Sequence, residues 1–328
     1  MRDLAGCVHF HSAYSYDCRV PLQTICDAAL KAGLDFAILT DHFRLDARAD
    51  GWERYHTDGR HKVLLLVGEE ISPRYNHYLA LNISKPVIVG KNAAKAQPMI
   101  DAVNAQGGFG FIAHPDHEGS PLVGAKACPW IDWTARGFAG LGIWDFVGDW
   151  TSALSSLWAI LYADWLPLHA LRGPKRQTLA RWDQLCQTMH CVAIGECDNH
   201  GHRKRFFGFS KQSFQCETAF RAVRTHVLAP EPSVGDAARD GAAILSALRG
   251  GASYVSLDWW HDAAGFSFEI LGQNGRAAMG GEWERDGATL LEAKIPKPVA
   301  SRLRIIRNGQ TIREDARRPH LQHDVDLP

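Results

Sequence analysis

The chain has 328 residues, with 36 Lys+Arg against 36 Asp+Glu and an apolar share of 46%. That size supports a large core plus a smaller second unit, and zero net charge excludes a global field that draws in nucleic acid or an anionic membrane. The eight cysteines (7, 18, 26, 128, 186, 191, 197 and 216) form no C-x-x-C pair, which argues against a zinc knuckle or disulfide framework and fits a reducing compartment.

The first predicted strand carries Cys7-Val8-His9-Phe10-His11. Side chains alternate along a strand, so His9 and His11 project to one face and can reach one ion, with Asp17 following in a turn. Neutral imidazole with carboxylate suits zinc, manganese or iron better than calcium or magnesium. The motif begins too early to leave room for a signal peptide, and no apolar run is long enough to span a bilayer. A cytoplasmic protein is expected.

Pro21 predicts a helix start, Leu22, Ile25, Ala29 and Leu30 its apolar face, and Gly33 its stop. Phe36-Ala37-Ile38-Leu39 reads as a strand buried on both faces, as in a parallel sheet, and it ends in Thr40-Asp41-His42. Val63–Val67 repeats the pattern and runs into Gly68-Glu69-Glu70. Tyr78–Leu81 is a predicted strand with His77 at its start. A helix through Met99, Ile100 and Val103 stops at Gly107-Gly108, and the strand Phe109–Ala113 closes with His114-Pro115. Gly140–Trp144 ends in Asp145. An apolar helix over 151–165 and a second over 175–189 lead to the strand Cys191–Ile194. That strand runs into Gly195-Glu196-Cys197-Asp198-Asn199-His200.

Repeated strand–helix units whose strands finish in ligand-type residues predict a β/α barrel with its site at the C-terminal face of the strands. About seven units fit, one fewer than the usual eight. A doubly wound open sheet is the alternative. A helix over 236–248 and short alternating runs at 253–257, 266–271, 289–293 and 303–306 predict a small antiparallel β domain. The chain then divides into 1–230 and 231–328.

Taken in order, the strand-end residues are His9 and His11 (H-x-H), Asp17, His42 (T-D-H), Glu70 (G-x-E), His77, His114 (A-H-P), and Asp198 with His200 (D-x-H). This series resembles the PHP family, the polymerase and histidinol phosphatase superfamily of metal-dependent phosphoesterases, over about residues 7–215. The resemblance implies an α/β fold, a distorted (β/α)7 TIM-like barrel, holding two or three divalent ions (zinc, manganese or iron). His9, His11, Glu70 and Asp198 would surround one ion. Glu70 would bridge to a second held by His77 and His114, and Asp17, His42 and His200 would hold a third. Asp41 would orient a ligand from behind. Glu69 is the competing carboxylate, but the spacing from Gly68 selects Glu70. Cys197 stands where a serine is common in the family. Glu196 is read as a structural contact, with proton transfer as the alternative. Arg181-Trp182-Asp183 and the stretch Leu248–Val255 bear a looser resemblance to carbaryl-hydrolase-like metallohydrolases, which also carry a C-terminal β domain.

The activity these motifs imply is hydrolysis of a small-molecule phosphate ester through metal-activated hydroxide, with Glu70, Asp198 and His200 at the catalytic centre. Carbamate or carboxyl ester hydrolysis on the same site is the alternative, and a nucleic-acid-processing exonuclease module ranks behind both. No serine nucleophile elbow is evident. Arg203-Lys204-Arg205 is the best-placed basic cluster for phosphate oxygens, although a solvated loop face is the weightier reading. The tryptophans at 130, 133, 144, 150, 158, 165 and 182 read mostly as packing, with one or two in 116–136 walling an apolar pocket. Neither nucleic acid nor membrane is expected as a partner, and the motifs do not specify an oligomeric state.

Overall fold

The computed structural model describes residues 1–201, 203–206, 209–212, 215–230, 235–284, 287–296, 301–316 and 320–324. In chain order the main sheet is built from β1 (Arg2–Phe10), β2 (Phe36–Leu39), β3 (Tyr55–Thr57), β4 (Lys62–Val67), β5 (Glu69–Ile71), β6 (Tyr78–Leu81), β7 (Phe109–Ile112), β8 (Gly140–Asp145) and β9 (Val192–Asn199). A hairpin of β10 (Arg203–Phe206) and β11 (Phe209–Gln212) follows. Then β12 (Val223–Ala229) and β13 (Ser253–Leu257) rejoin the main sheet. The helices are α1 (Leu22–Ala32), α2 (Asp46–Ala49), α3 (Gln97–Asn104), α4 (Phe146–Ala153), α5 (Leu157–Trp165), α6 (Arg176–Cys186), α7 (Cys216–Phe220) and α8 (Ala237–Arg249).

The strands lie in the order β3-β4-β2-β1-β9-β8-β7-β6-β5. Pairings from β4 across to β7 are parallel, whereas β3 on β4 and β6 on both its neighbours are antiparallel. This corrects the expected (β/α)7 barrel. The fold is α/β, but its one curled sheet is mixed and its connections are not uniformly helical. Between β7 and β8, Pro115, Gly119, Pro121, Gly124, Pro129 and Gly137 interrupt the chain too often for an α-helix. Only a 3-10 turn, Pro121–Val123, forms there.

The parallel strands still end at one edge, and the sheet curls until its path nearly meets itself there. Gly68 alone separates β4 from β5, and His42, just beyond β2, bridges to Glu70 in β5. Glycine is required at 68 because a Cβ would fall 2.6 Å from the carbonyl oxygen of Ala80.

Alternation along each strand feeds two apolar layers. Phe36, Ile38, Leu64 and Leu66 face an inner layer, which Ile244 and Leu248 of α8 complete. Ala37, Leu39, Leu65 and Val67 face an outer layer shared with Leu22, Ile25 and Leu30 of α1. Each large apolar side chain buried this way contributes roughly 1.5–3 kcal/mol. The left-handed Gly33 (φ 73°) ends α1. The single apolar helix predicted over 151–165 is instead two, broken before Ser156, whose hydroxyl caps α5 by accepting from the Ala159 N–H. Trp158 and Trp165 on α5 are exposed, so they are not the packing residues expected, whereas Trp130 and Trp150 are buried.

Beyond Leu257 come β14 (Ser267–Gly272), β15 (Gly275–Ala278), β16 (Leu290–Lys294), β17 (Arg302–Arg307), β18 (Gln310–Ala316) and β19 (His320–Asp324). They form a four-stranded sheet, β15-β14-β16-β19, and a separate β17–β18 pair, all antiparallel. Among the described residues, no helix is long and apolar enough to cross a membrane.

A buried charged cluster ties β12 to β1 and to the residue after β13. His226 Nδ1 lies 2.9 Å from Asp3 Oδ1, its Nε2 lies 3.0 Å from Asp258 Oδ2, and Arg224 pairs with Asp258 at 3.2 Å. Burial alone would lower the pKa of His226, but Asp258 and Asp3 push it up to about 9. A histidine raised above its unfolded value of about 6.5 stabilises fully below that value and loses the contribution as pH rises through the folded pKa. Urea denaturation should therefore show stability falling by on the order of 2–3 kcal/mol between about pH 6.5 and 9.5. His226→Gln should be weaker at the lower pH and lack this slope. A flat wild-type profile matching the variant would contradict a protonated His226.

Candidate metal centre

Both histidines of the H-x-H motif leave the end of β1, but not by plain alternation. The register of β1 against β9 shifts between Val8 and Phe10, and His9 takes φ 68°. This bulge turns both rings onto the same carboxylates. Each Nε2 lies 3.3 Å from Glu70 Oε2, and they lie 3.2 Å (His9) and 3.3 Å (His11) from Asp198 Oδ1. His114 (φ 27°) and Asp198 (φ 49°) share the left-handed region, while Phe43 and Asn76 with positive φ adjoin His42 and His77. Such conformations cost about 1–3 kcal/mol each and persist where the surroundings over-determine them.

Glu70 is the hub. Its buried Oε2 also faces His42 Nδ1 at 3.0 Å, while Oε1 lies 2.7 Å from His77 Nδ1 and 3.3 Å from His114 Nε2. Each oxygen of one carboxylate is thus given to a different set of histidines. On the far side, Asp17 Oδ2 lies 3.1 Å from His42 Nε2 and 3.3 Å from His200 Nε2. The His11 ring stacks on His42 and His200, with centroids 4.4 and 4.1 Å away.

Among the described residues three groups result, each with ligand atoms within 4.8 Å of one another: His9, His11, Glu70 and Asp198; His11, Asp17, His42 and His200; and His77, His114 and Cys128. His11 belongs to two of them. Cys128 has no counterpart in the motifs, because a lone cysteine in a loop carries no spacing signal.

The chemistry of this donor set fits divalent cations. Burial would raise the Glu70 carboxyl, but His42, His9 and His77 hold it well below the usual carboxylate range. Asp198, buried as well, is held down by His9 and His200. Burial, with His200 and His42 nearby, lowers His11 below the ordinary imidazole value, toward the neutral ligating form, whereas the surrounding carboxylates, acting against burial, raise His9, His42 and His200. His9 Nε2, His11 Nδ1, Glu70 Oε2 and His114 Nδ1 are buried without a hydrogen bond. Each such atom left unpaired costs about 1–3 kcal/mol, and a cation of the zinc, manganese or iron type between His9 Nε2 and Glu70 Oε2 would satisfy both of those.

Behind the ligands, Glu196 is a positioning residue. Its Oε2 lies 2.8 Å from His9 Nδ1, leaving Nε2 to face the carboxylates, and its Oε1 accepts the backbone N–H of His114 at 2.8 Å. Glu196→Gln should lower zinc affinity about 10–100-fold in a competition titration against a chelator. Unchanged affinity would show that the contact orients nothing. Asp41 accepts from both the N–H and the hydroxyl of Ser12, each at 2.7 Å, so it pins the turn after His11 rather than touching a candidate ligand.

Glu69 points away from the centre. Its Oε1 accepts from the Val87 N–H at 2.7 Å, and burial pushes its pKa up to about 7. Asp145 caps α4 through the N–H groups of Val147 and Gly148. Cys197 is buried, and the Cys18 thiol donates to the carbonyls of His11 and His200. The side chains of Arg203, Lys204 and Arg205 lie outside the described residues. Beside His114, a cavity of about 40 Å³ is lined by His117, Trp144, Asp145, Lys175 and Thr178. Trp144 is the indole at this cavity, while Trp130 belongs to the core and Trp133 packs under Arg181.

No family model and no curated protein matches the chain. Among solved structures it is similar to PsfC from Pseudomonas syringae (15% identity, TM-score 0.45, covering 78% of this chain and 92% of that one). It is similar also to the lesion-specific endonuclease PfuEndoQ from Pyrococcus furiosus (12%, 0.43, 81% and 62%). A third is a candidate metal-dependent phosphoesterase from Bifidobacterium adolescentis (14%, 0.37, 60% and 87%). The endonuclease among them corrects the expectation that nucleic acid is not a partner. That expectation rested on net charge, which constrains no local surface.

Proposed function

We propose that this chain is a metal-dependent hydrolase of the polymerase and histidinol phosphatase type that cleaves a phosphate ester of a small molecule. The observation that supports it is the division of the Glu70 carboxylate between two histidine sets, with buried nitrogens and an oxygen left unpaired around it. Divalent ions bound there would supply Lewis acidity and a water acidified to near neutrality. His9, His11, Glu70 and Asp198 would hold one ion, His77 and His114 with Glu70 a second, and Asp17, His42 and His200 a third.

The chain's other residues orient and select. Glu196 fixes the tautomer of His9 and the backbone of His114 together. Lys175, lining the cavity beside His114, is anchored by donating to the Asp116 carbonyl at 2.7 Å and by Glu118 at 3.3 Å. It offers a cation to a non-bridging phosphate oxygen. Lys175→Met should raise KM for a phosphomonoester by roughly tenfold, the loss of one charge-assisted hydrogen bond, with kcat less affected.

The test is a panel of p-nitrophenyl phosphate, bis-p-nitrophenyl phosphate, a naphthyl carbamate and single-stranded and duplex DNA, each with manganese or zinc. Phosphomonoester turnover that chelation abolishes and metal restores is the expected result. Turnover of the carbamate alone, or of DNA alone, would replace the proposed substrate class. No turnover with any divalent metal would overturn the hydrolase reading.

A further inference from the structure

The third group of donors differs from the other two in containing sulfur. His77, His114 and Cys128 bring ligand atoms within 4.8 Å of one another. His114 is only 5% exposed, its Nε2 faces Glu70 Oε1 at 3.3 Å, and its Nδ1 makes no hydrogen bond.

The loop bearing the thiol is tied down on both sides of it. Cys128 N–H donates to the His117 carbonyl at 3.1 Å, Trp130 N–H to Pro115 at 2.8 Å, and Asn76 N–H to Pro129 at 3.4 Å. The fully buried Asn76 adds its side chain. Its Oδ1 accepts from the N–H groups of Ile131 (2.6 Å) and Asp132 (3.0 Å), and its Nδ2 donates to the Ala94 carbonyl at 3.0 Å. Asn76 sits at φ 62°, which asparagine tolerates better than most residues. Pro115 and His117 follow His114, and Asn76 precedes His77. The same hydrogen bonds that hold the loop therefore hold the thiol against both histidines.

We infer, on the reading of the centre given above, that Cys128 joins His77 and His114 as a protein ligand of the second ion and biases that position toward zinc over manganese. Two imidazoles and a thiolate make a three-donor nitrogen and sulfur set of the kind that suits zinc. The other two groups offer only nitrogen and oxygen, the donors that manganese also accepts. Binding releases the thiol proton to solvent.

Cobalt reports a thiolate ligand directly, through a near-ultraviolet sulfur-to-metal charge-transfer band. The cobalt-loaded wild type should show that band, Cys128→Ser should lose it, and Cys18→Ser should keep it. Zinc affinity at one position should fall at least tenfold in Cys128→Ser, and Cys128→Asp should shift that position toward manganese. A wild-type protein that binds two or more cobalt ions without the band would overturn the ligand role of Cys128 and leave the proposed hydrolase intact. A protein that takes up no cobalt would overturn both. Absence of the band from the cobalt-loaded wild type overturns the role whatever the variants' folding, and its loss in Cys128→Ser but not in Cys18→Ser assigns it to Cys128.

Discussion

Glu70→Gln is expected to weaken two ion positions at once and to lower turnover by roughly a thousandfold or more, about 4 kcal/mol of transition-state stabilisation. The side chain keeps its size but loses its charge, and the amide nitrogen that replaces one oxygen is a donor that cannot ligate. In the structure Oε2 faces His9, His11 and His42, while Oε1 faces His77 and His114, so no orientation of the amide serves both sets. The strands stay folded, because their stability comes from the two apolar layers. Glu69→Gln is the matched control. It sits one residue earlier, and a glutamine oxygen can still accept from the Val87 N–H, so activity should hold. Loss of activity in Glu69→Gln with near-normal activity in Glu70→Gln would reverse the assignment of the two carboxylates.

Gly142→Ala, although it touches no candidate ligand, should be nearly as damaging. A Cβ at Gly142 would lie 1.3 Å from Glu196 Oε1 and 2.2 Å from its Cδ. Glu196 must then leave its place, releasing His9 Nδ1 and the His114 N–H together. Overpacking of this kind costs about 1–3 kcal/mol, and each abandoned partner adds about 1–3 kcal/mol. The expected outcome is a loss of roughly 3 kcal/mol or more in urea denaturation, with metal-supported turnover down at least a hundredfold. Gly90→Ala, where a Cβ would meet nothing within 4 Å, should match the wild type in both measurements. A stable and active Gly142→Ala protein would show that Glu196 can be moved without cost.

Some of this architecture was legible in the residues themselves. Strands buried on both faces, such as Phe36–Leu39 and Lys62–Val67, announce themselves as continuous apolar runs, and the polar residues closing them stand out by contrast. The direction of a strand has no such signature. Tyr78–Leu81 reads the same either way, yet its antiparallel course is what separates this sheet from a regular barrel. The bulge at His9 is equally silent, since it arises from pairing with β9 rather than from local preference. Residues that act from a distant loop carry no such mark. Asn76 meets Ile131 across 55 positions, and Cys128 meets His77 and His114 only because that clamp exists. Spacing motifs mark residues that finish strands, but not those that a distant loop brings in.

Elemental analysis of protein purified without chelator and then saturated with zinc or manganese tests the centre most directly. Glu70 facing two histidine sets, with Asp17 and His200 beyond His42, predicts at least two bound ions per chain, with lower occupancy in Glu70→Gln and unchanged occupancy in Glu69→Gln. One ion or none in the saturated wild type, or full occupancy in Glu70→Gln, would contradict a carboxylate shared between metals.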